Sequence, residues 1–193
     1  LAKYYAGSYA SATPTYEADK AAFGSVTASW KNIEKAWVNG VYDPSLVGSY
    51  DWASHGKQTG ITHEHTLSAS GGSDKFQGYA SFGYLDQKGT QPGQAYERYT
   101  LKTSFDVTPV NWFKMGSSIN ASYSTQDYGY SFSKSVTGSG DFYSALRSMI
   151  PWTVPYDENG EYVRYPSGDV NIINPIRELD YNTNQRRTFR ASA

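Results

Sequence analysis

Regular alternation between apolar and polar residues over four consecutive segments is the feature that most constrains this chain. Between residues 98 and 107 the odd positions hold Tyr, Leu, Thr, Phe and Val, whereas the even positions hold Arg, Thr, Lys, Ser and Asp. Residues 62–70, 76–84 and 113–123 alternate in a similar way. Because side chains point alternately to the two faces of a strand, this period predicts β-strands with one apolar and one polar face.

The four predicted strands are joined by connections of unequal length. A tight turn with two glycines covers residues 71–74, a longer loop covers residues 87–97, and a short turn follows at residues 108–111. The next connection runs from about residue 126 to residue 186, and alternation then resumes at Arg187. Short turns at one end of the strands and long loops at the other are typical of outer-membrane barrels.

Aromatic residues mark both ends of the apolar face. With the short turns on the inner side, strand direction and parity place Tyr84, Tyr99 and Tyr123 at the outer rim. The residues that the same reasoning places toward the inner rim are Phe76, Phe105 and Phe113. Outer-membrane barrels carry such aromatic girdles. A shift of one residue in any strand would break the arrangement.

A secreted, aromatic-rich β-sandwich that binds glycans is the alternative interpretation of the same pattern. One face of each of its sheets meets a core and the other meets water, so its strands alternate as well. The two interpretations differ in what covers the apolar face. A second sheet covers it in a sandwich, and lipid covers it in a barrel.

The overall composition excludes several classes of protein. Hydrophobic residues make up 38% of the chain, aromatic residues 16%, and the mean hydropathy is -0.62. No apolar run approaches the roughly 20 residues of a transmembrane helix, whereas a barrel strand needs only about 9 to 11 alternating residues. A net charge of -1 gives no electrostatic footprint for nucleic acid. The absence of cysteine excludes disulfides and thiolate metal sites.

The first 60 residues carry most of the helical signal. Residues Glu17 to Phe23 form one predicted helix, and a second follows Thr27, with Trp30 and Trp37 on a shared face that includes Ile33. Asn39-Gly40 is the predicted stop of this second helix. The chain begins without a signal peptide and ends within an alternating segment, so we expect it to be an excerpt from a longer protein.

Several runs of residues resemble the early barrel of the SusC/RagA family of TonB-linked outer-membrane transporters. The most specific of them span residues 65–75 (HTLSASGGSDK) and 79–89 (YASFGYLDQKG). The shorter or later matches are Tyr50-Asp51-Trp52, Glu97-Arg98-Tyr99, Ala145-Leu146, Pro151, residues 155–162 (PYDENGEY) and Asn174-Pro175. The resemblance covers roughly residues 40–190.

The resemblance implies a large barrel with an N-terminal plug in the outer membrane of a Gram-negative bacterium. The family contacts the TonB complex and outer-membrane lipid, imports oligosaccharides or peptides, and works with a SusD-like surface lipoprotein, with no cofactor. The plug and the TonB-contacting segment are not recognisable here.

The fold class that we expect is all-β, an antiparallel transmembrane β-barrel segment with long extracellular loops and minor helical pieces. The expected organisation is loop and short helices in residues 1–61, four barrel strands in 62–125, a long extracellular loop in 126–186 and the start of the next strand in 187–193.

Three groups of polar residues are candidates for chemical sites. His63-Glu64-His65 puts two imidazoles on one strand face, but only His55 remains as a third histidine ligand, so two polar residues at a membrane interface are the preferred interpretation. The acidic run 157–161 lacks the EF-hand pattern, and its Asn-Gly pair indicates a hairpin turn. Glu178 and Asp180 lack any accompanying nucleophile motif. We therefore expect no metal site and no catalytic residue.

Aromatic and cationic residues are the candidates for binding. The long loop holds aromatic side chains that either contact substrate or a lid protein or pack a small core of the loop itself: Tyr128, Tyr130, Phe142, Tyr143 and Trp152. Four cations fall on the polar strand faces, which point to the lumen in a large barrel: Arg98, Lys102, Lys114 and Arg190. Contact with substrate or plug, a solvated lining, and a salt bridge are the alternatives for these four.

Overall fold

Residues 15–130, 142–182 and 184–193 are described by a computed structural model of the chain. The described residues divide into a helical unit, residues 15–56 and 142–182, and a sheet unit, residues 57–130 and 184–193. In the described part, no helix has both the length and the apolar character needed to cross a bilayer.

The helical unit contains short helices and one small hairpin. Its elements are α1 (Tyr16–Phe23), α2 (Thr27–Glu34), β1 (Trp37–Val38), β2 (Val41–Tyr42), α3 (Phe142–Arg147) and α4 (Pro175–Tyr181). Side-chain oxygens cap two of the helices, as Thr15 Oγ1 accepts from the Ala18 N–H at 3.2 Å and Asn174 Oδ1 accepts from the Ile176 N–H at 3.1 Å. Such caps satisfy N–H groups that have no partner within the helix.

The prediction that Trp37 continues the second helix is wrong. Helix α2 ends at Glu34, and Trp37 begins the first strand of a hairpin. Asn39 (φ 52°) and Gly40 (φ 78°) form its turn in the left-handed conformation that Asn-Gly pairs favour. The Asn39-Gly40 pair is therefore the turn of a hairpin and not the stop of a helix. The hairpin begins at Trp37, which still fits the helical spacing of the apolar residues.

The helical unit has a core of its own. Ile33 and Leu146 are fully buried, and Trp52 is 3% exposed. The Trp52 indole N–H donates to the Thr153 carbonyl at 3.0 Å. Asn174 donates to the carbonyls of Pro155 (2.9 Å) and Val163 (3.0 Å), which ties the start of α4 to the preceding loop.

The sheet unit is one antiparallel sheet whose strands follow each other in sequence order. Its strands are β3 (Ile61–Ser73), β4 (Phe76–Lys88), β5 (Gln94–Val110), β6 (Phe113–Tyr128) and β7 (Gln185–Ser192). Strands β3 and β7 form the edges, so these five strands do not close on themselves. The expectation of a mainly antiparallel β-structure with minor helices is confirmed, and closure into a barrel is not present in this sheet.

The first predicted turn is displaced. Residues 71–73 belong to β3, Ser73 pairs with Phe76, and only Asp74 and Lys75 form the turn. A Cβ added to Gly72 would lie 2.4 Å from the Phe76 carbonyl oxygen. This glycine therefore permits a close approach of the two backbones, which is the usual meaning of a glycine within a strand.

The register separates an apolar from a polar face across all five strands. Leu67, Phe82, Leu101, Ala121 and Ala191 form one continuous transverse row. Most of the large apolar side chains on this face are exposed, from 38% for Tyr99 to 76% for Leu67, whereas Tyr84 and Val107 are half-buried. The sandwich interpretation requires a second sheet over this face, and the other sheet among the described residues is the two-stranded β1–β2 hairpin.

Candidate functional site

The four cations that were expected on polar strand faces share the polar face of the sheet. Arg98 pairs with Ser124, Lys102 with Asn120, and Arg190 with Ser122. Lys114 lies near the β5–β6 turn, where its Nζ is 3.8 Å from Asp106 Oδ1. Both side chains of this pair are more than half exposed, so the ion pair contributes little to stability.

Two neighbouring depressions on the polar face have Arg98 in common. One has a volume of about 240 Å³ and contains Arg98, Arg186 and Arg190 beside the rings of Tyr96 and Tyr128. The other has a volume of about 270 Å³, and the charged residues that line it are Glu64, Arg98 and Lys102. The structure therefore brings Arg98 together with Arg190 in one depression and with Lys102 in the other.

Arg186 is a polar-face residue that the sequence pattern missed. The predicted strand began at Arg187, whereas β7 begins at Gln185. Arg186, Thr188 and Arg190 are consecutive members of the polar face, and their alternation with Phe189 and Ala191 was the available signal.

An aromatic row crosses the apolar face. His65, Tyr84, Tyr99, Tyr123 and Phe189 are paired directly from β3 to β7. The rings of Tyr84 and Tyr99 are 5.0 Å apart, and both hydroxyl groups donate to Glu97 Oε1, at 3.2 and 2.7 Å. The predicted alignment of the three tyrosines is confirmed.

The phenylalanines lie at the other end of the apolar face but not in one row. Phe76 pairs with Val107, Phe105 with Gly78 and Ser117, and Phe113 with Val110. They form a staggered band near the two tight turns.

The aromatic candidates of the long connection have different surroundings. Tyr128 is 39% exposed at the end of β6, and Tyr130 follows it as a half-buried residue. Phe142 is 1% exposed, which favours internal packing for this residue. Tyr143 lies under the Arg147 guanidinium, at 5.8 Å.

Trp152 lines an apolar depression of the helical unit. It meets Phe23 edge to face at 5.4 Å. The depression has a volume of about 730 Å³, and the other apolar residues along it include Val47, Ile150 and Ile172. Trp152 therefore packs against Phe23 and also lines the open depression.

Residues of the three polar groups that are candidates for chemical sites have structural partners. Asp157 Oδ1 accepts from the Asn159 and Glu161 N–H groups at 2.8 and 2.9 Å, and Gly160 has φ 81°, so the turn interpretation is confirmed. His65 stacks on Tyr84. Within residues 15–130, 142–182 and 184–193, no group of three or more His, Cys, Asp or Glu is arranged to hold a metal ion.

The two carboxylates near the end of the helical unit are also engaged. Glu178 pairs with Arg177 at 2.6 Å and accepts from the Asn182 amide at 2.8 Å. Asp180 accepts a hydrogen bond from the Tyr162 hydroxyl, and this bond together with burial raises the pKa of the phenol. These contacts stabilise the loop around α4.

Two curated proteins from Formosa agariphila match most of the chain. TonB-dependent receptor P3 is 32% identical over 146 residues, which are 74% of this chain and 14% of the receptor. TonB-dependent receptor P39 is 28% identical over 133 residues, which are 69% of this chain and 12% of the receptor. The chain is a relative of the TonB-dependent receptors. The resemblance recognised in the sequence is confirmed, and the segment spans about one seventh of the first receptor's length.

Two solved structures are similar to part of this receptor relative. The RagAB peptide importer in its closed-closed state has a TM-score of 0.49 and 27% identity, over 67% of this chain and 15% of that chain. The RagAB peptide transporter has a TM-score of 0.46 and 27% identity, over 62% of this chain and 13% of that chain. No protein-family model matches the chain. The curated relatives are named as receptors and not as enzymes, in agreement with the expected lack of a catalytic role.

Proposed function

We propose that this chain forms part of the barrel wall and the connecting outer loops of a TonB-dependent importer in the outer membrane of a Gram-negative bacterium. The single observation that carries the proposal is the separation of a largely exposed apolar face from a polar face, which continues across five strands. A barrel strand in a bilayer needs this separation, because lipid contacts one face and the lumen the other.

The aromatic row supports the same orientation. Tyr and Trp side chains prefer the membrane interface, where the ring is buried and the polar group stays hydrated. In this chain Tyr84 and Tyr99 direct their hydroxyl groups to Glu97, which lies farther from the tight turns than either ring. The long connection between the paired strands β6 and β7 then lies on the outer side, and the Asp74-Lys75 turn on the periplasmic side.

The polar face would line the lumen. Its cations Arg98, Lys102, Lys114 and Arg190 are proposed to meet water, plug or cargo there, with Tyr128, Tyr130 and Trp152 nearer the outer loops as cargo contacts. The proposed cargo is an oligosaccharide or a peptide, the proposed lid is a SusD-like lipoprotein, and the energy comes through TonB. The cargo, lid and TonB assignments rest on the family resemblance.

Labelling of single cysteines in intact cells tests the topology. This chain has no cysteine, so Asn171→Cys in the long connection and Trp112→Cys in the β5–β6 turn add one reactive site each to it. In the full-length protein, a membrane-impermeant maleimide should label residue 171 at once and residue 112 only after the outer membrane is permeabilised. Equal labelling of both sites in intact cells would contradict the proposal.

Transport is tested separately in a strain that lacks the full-length gene. Uptake of fluorescent oligosaccharides or peptides should fall in this strain, recover with the wild-type gene, and fall again when TonB is removed. A SusD-like lipoprotein should copurify with the full-length protein from mild detergent. Uptake that continues without TonB would contradict an energised importer.

A further inference from the structure

Three guanidinium groups meet on the polar face of the sheet. Arg98 of β5 and Arg186 and Arg190 of β7 line the depression of about 240 Å³. The register places Arg98 in the row of Thr188, midway between the two arginines of β7. With strands about 4.8 Å apart, Arg98 lies roughly 10 Å across the sheet, within reach of a small group that all three side chains contact. We call these three residues the arginine cluster.

The arginine cluster has a local charge that differs from the charge of the chain. No carboxylate is among the residues that line the depression, whereas the whole chain has a net charge of -1. Within the described ranges, the ion pairs involve other residues, so none of the three arginines is neutralised by a described carboxylate. Guanidinium groups stay protonated, and three in one depression repel each other until an anion joins them.

The remaining lining indicates the kind of molecule that carries the anion. The other residues of the depression are Tyr96, Tyr128, Ser122, Ser124, Gln126 and Thr188. They offer two aromatic rings, hydroxyl groups and one amide, but no aliphatic side chain. Rings pack against the apolar faces of sugars, and hydroxyl and amide groups match sugar hydroxyls. The lining has no aliphatic pocket of the kind that an apolar peptide side chain fills.

We propose that the arginine cluster binds an acidic oligosaccharide, whose carboxylate or sulfate groups are held by the guanidinium forks. Arginine binds carboxylate and similar planar or branched oxyanions through two parallel N–H···O bonds, which lysine cannot reproduce. This inference rests on the proposed function, because the cargo reaches the polar face only if that face lines the lumen. It adds the chemical class of the cargo to the proposal of an importer.

The test measures binding to the full-length receptor in detergent. The probes are an oligogalacturonate and its methyl ester, and a sulfated galactan oligosaccharide and its desulfated form, with tetraglutamate as the acidic peptide. At least one acidic sugar should bind more tightly than its neutral counterpart, and its affinity should fall as the NaCl concentration rises. Uronate and sulfate probes distinguish the two anion types.

Single substitutions connect binding to the cluster. Arg98→Ala, Arg186→Ala and Arg190→Ala should each weaken binding of the acidic sugar by about tenfold to a hundredfold, the range for hydrogen bonds to charged groups. The matched control is Arg187→Ala, on the same strand as two cluster residues but on the opposite face, where its Nε donates to Gln185. This control should change affinity by less than about twofold.

The outcomes separate the inference from the proposed function. Equal binding of acidic and neutral sugars, no binding of any sugar probe, or binding of tetraglutamate alone would overturn the inference while the cysteine topology still supports an outer-membrane wall. Equal losses in Arg187→Ala and Arg186→Ala would overturn it as well. If residue 112 is labelled in intact cells, the proposed function itself fails.

Discussion

The two units of this chain differ in how far they bury similar apolar side chains. In the helical unit, Leu146 and Ile33 are fully buried by the chain's own residues. In the sheet unit, Leu101 and Ile119 are 46% and 44% exposed, although they lie at the centre of an apolar face. Burial of apolar surface is the dominant favourable contribution to folding, so the helical unit has an internal source of stability. The apolar face of the sheet is largely uncovered by the described residues, and the proposed function assigns its cover to lipid.

This difference also explains the two kinds of sequence pattern. A sheet with lipid on one side and water on the other needs period-two alternation along every strand, and the alternation is visible in the sequence. A small core assembled from residues 30–56 and 142–178 joins segments that are far apart in sequence, so no local period records it.

The largest expected effect is in the core of the helical unit. Leu146→Ala should lower the free energy of unfolding of this unit by about 2–5 kcal/mol, because it removes buried methyl groups and leaves a cavity. Hydrogen exchange of α2 and α3 in the full-length protein measures the change. Leu46→Ala is the control, since Leu46 is 45% exposed in the same unit, and its effect should stay within about 0.5 kcal/mol. Equal effects of both variants would contradict the assignment of Leu146 to a buried core of this unit.

A charge on the apolar face of the sheet should have a comparable effect on membrane assembly. Ile119→Arg places a cation in the proposed lipid zone and should cost about 2–4 kcal/mol, the value for arginine near the centre of a bilayer. Asn120→Arg adds the same charge one residue later on the polar face. The fraction of heat-modifiable, outer-membrane protein should fall in the first variant and remain near wild type in the second. A loss in both, or in neither, contradicts the assignment of faces.

The tryptophans provide a smaller contrast between the units. Trp52→Phe removes the N–H donor to the buried Thr153 carbonyl and should destabilise the helical unit by about 1–3 kcal/mol. Trp112→Phe affects an 86% exposed side chain at the β5–β6 turn and should be nearly neutral. Hydrogen exchange of the helical unit is the measurement for the first variant and folded yield for the second. A neutral Trp52→Phe would show that this hydrogen bond is not needed.

The buried Asp19 makes the helical unit sensitive to pH. Burial raises the pKa of Asp19, and the hydrogen bond from the Trp37 N–H opposes this effect in part. The folded state therefore holds the proton more tightly than the unfolded state. The resulting stabilisation is complete below the unfolded pKa of about 3.9 and is lost as the pH rises through the higher folded value.

Asp19→Asn tests this dependence and keeps an acceptor for Trp37. The variant should be at least as stable as wild type at pH 7 and should lose the extra stabilisation at acid pH. Protection of α1 at several pH values, corrected for intrinsic exchange rates, reports the difference. An unchanged pH profile would mean that another group is responsible.

The smallest expected effect concerns the exposed ion pair of the polar face. Asp106→Asn should change stability by less than about 0.5 kcal/mol, because Lys114 and Asp106 are both solvated. The thermal midpoint of the full-length protein is the measurement. A loss above about 1 kcal/mol would show that this part of the polar face is covered in the assembled protein.

Much of the sheet was predictable from sequence, whereas the details of its ends were not. Parity placed Tyr84, Tyr99 and Tyr123 on one face, since a one-residue shift would have moved any of them to the other face, and the short turns placed them near one row. The turn at residues 71–74 was misplaced because both glycines extend the strand, and Gly72 lies where the two backbones approach closely. Arg186 was missed because the alternation of polar and apolar residues is less regular at the end of a strand than in its middle.

The helical unit was less predictable from the sequence than the sheet unit. Trp37 looked helical by spacing, and only its pairing with Tyr42 reveals the hairpin. Phe142 was predicted as a possible cargo contact, but it is buried. The sequence alone does not distinguish an aromatic residue of a core from one of a binding site. The arginine cluster joins β5 and β7, which are separated by a long connection, so its convergence depends on strand pairing.

The central claim is that one face of this sheet contacts lipid and the other does not. Spin labels on single cysteines along β6 of the full-length protein in outer membrane test it, with collision rates to oxygen and to a water-soluble nickel complex as the measurement. The account predicts high oxygen and low nickel accessibility at residues 119, 121 and 123, and the reverse at 118, 120 and 122. Uniform accessibility along the strand, or alternation with the opposite phase, would contradict it.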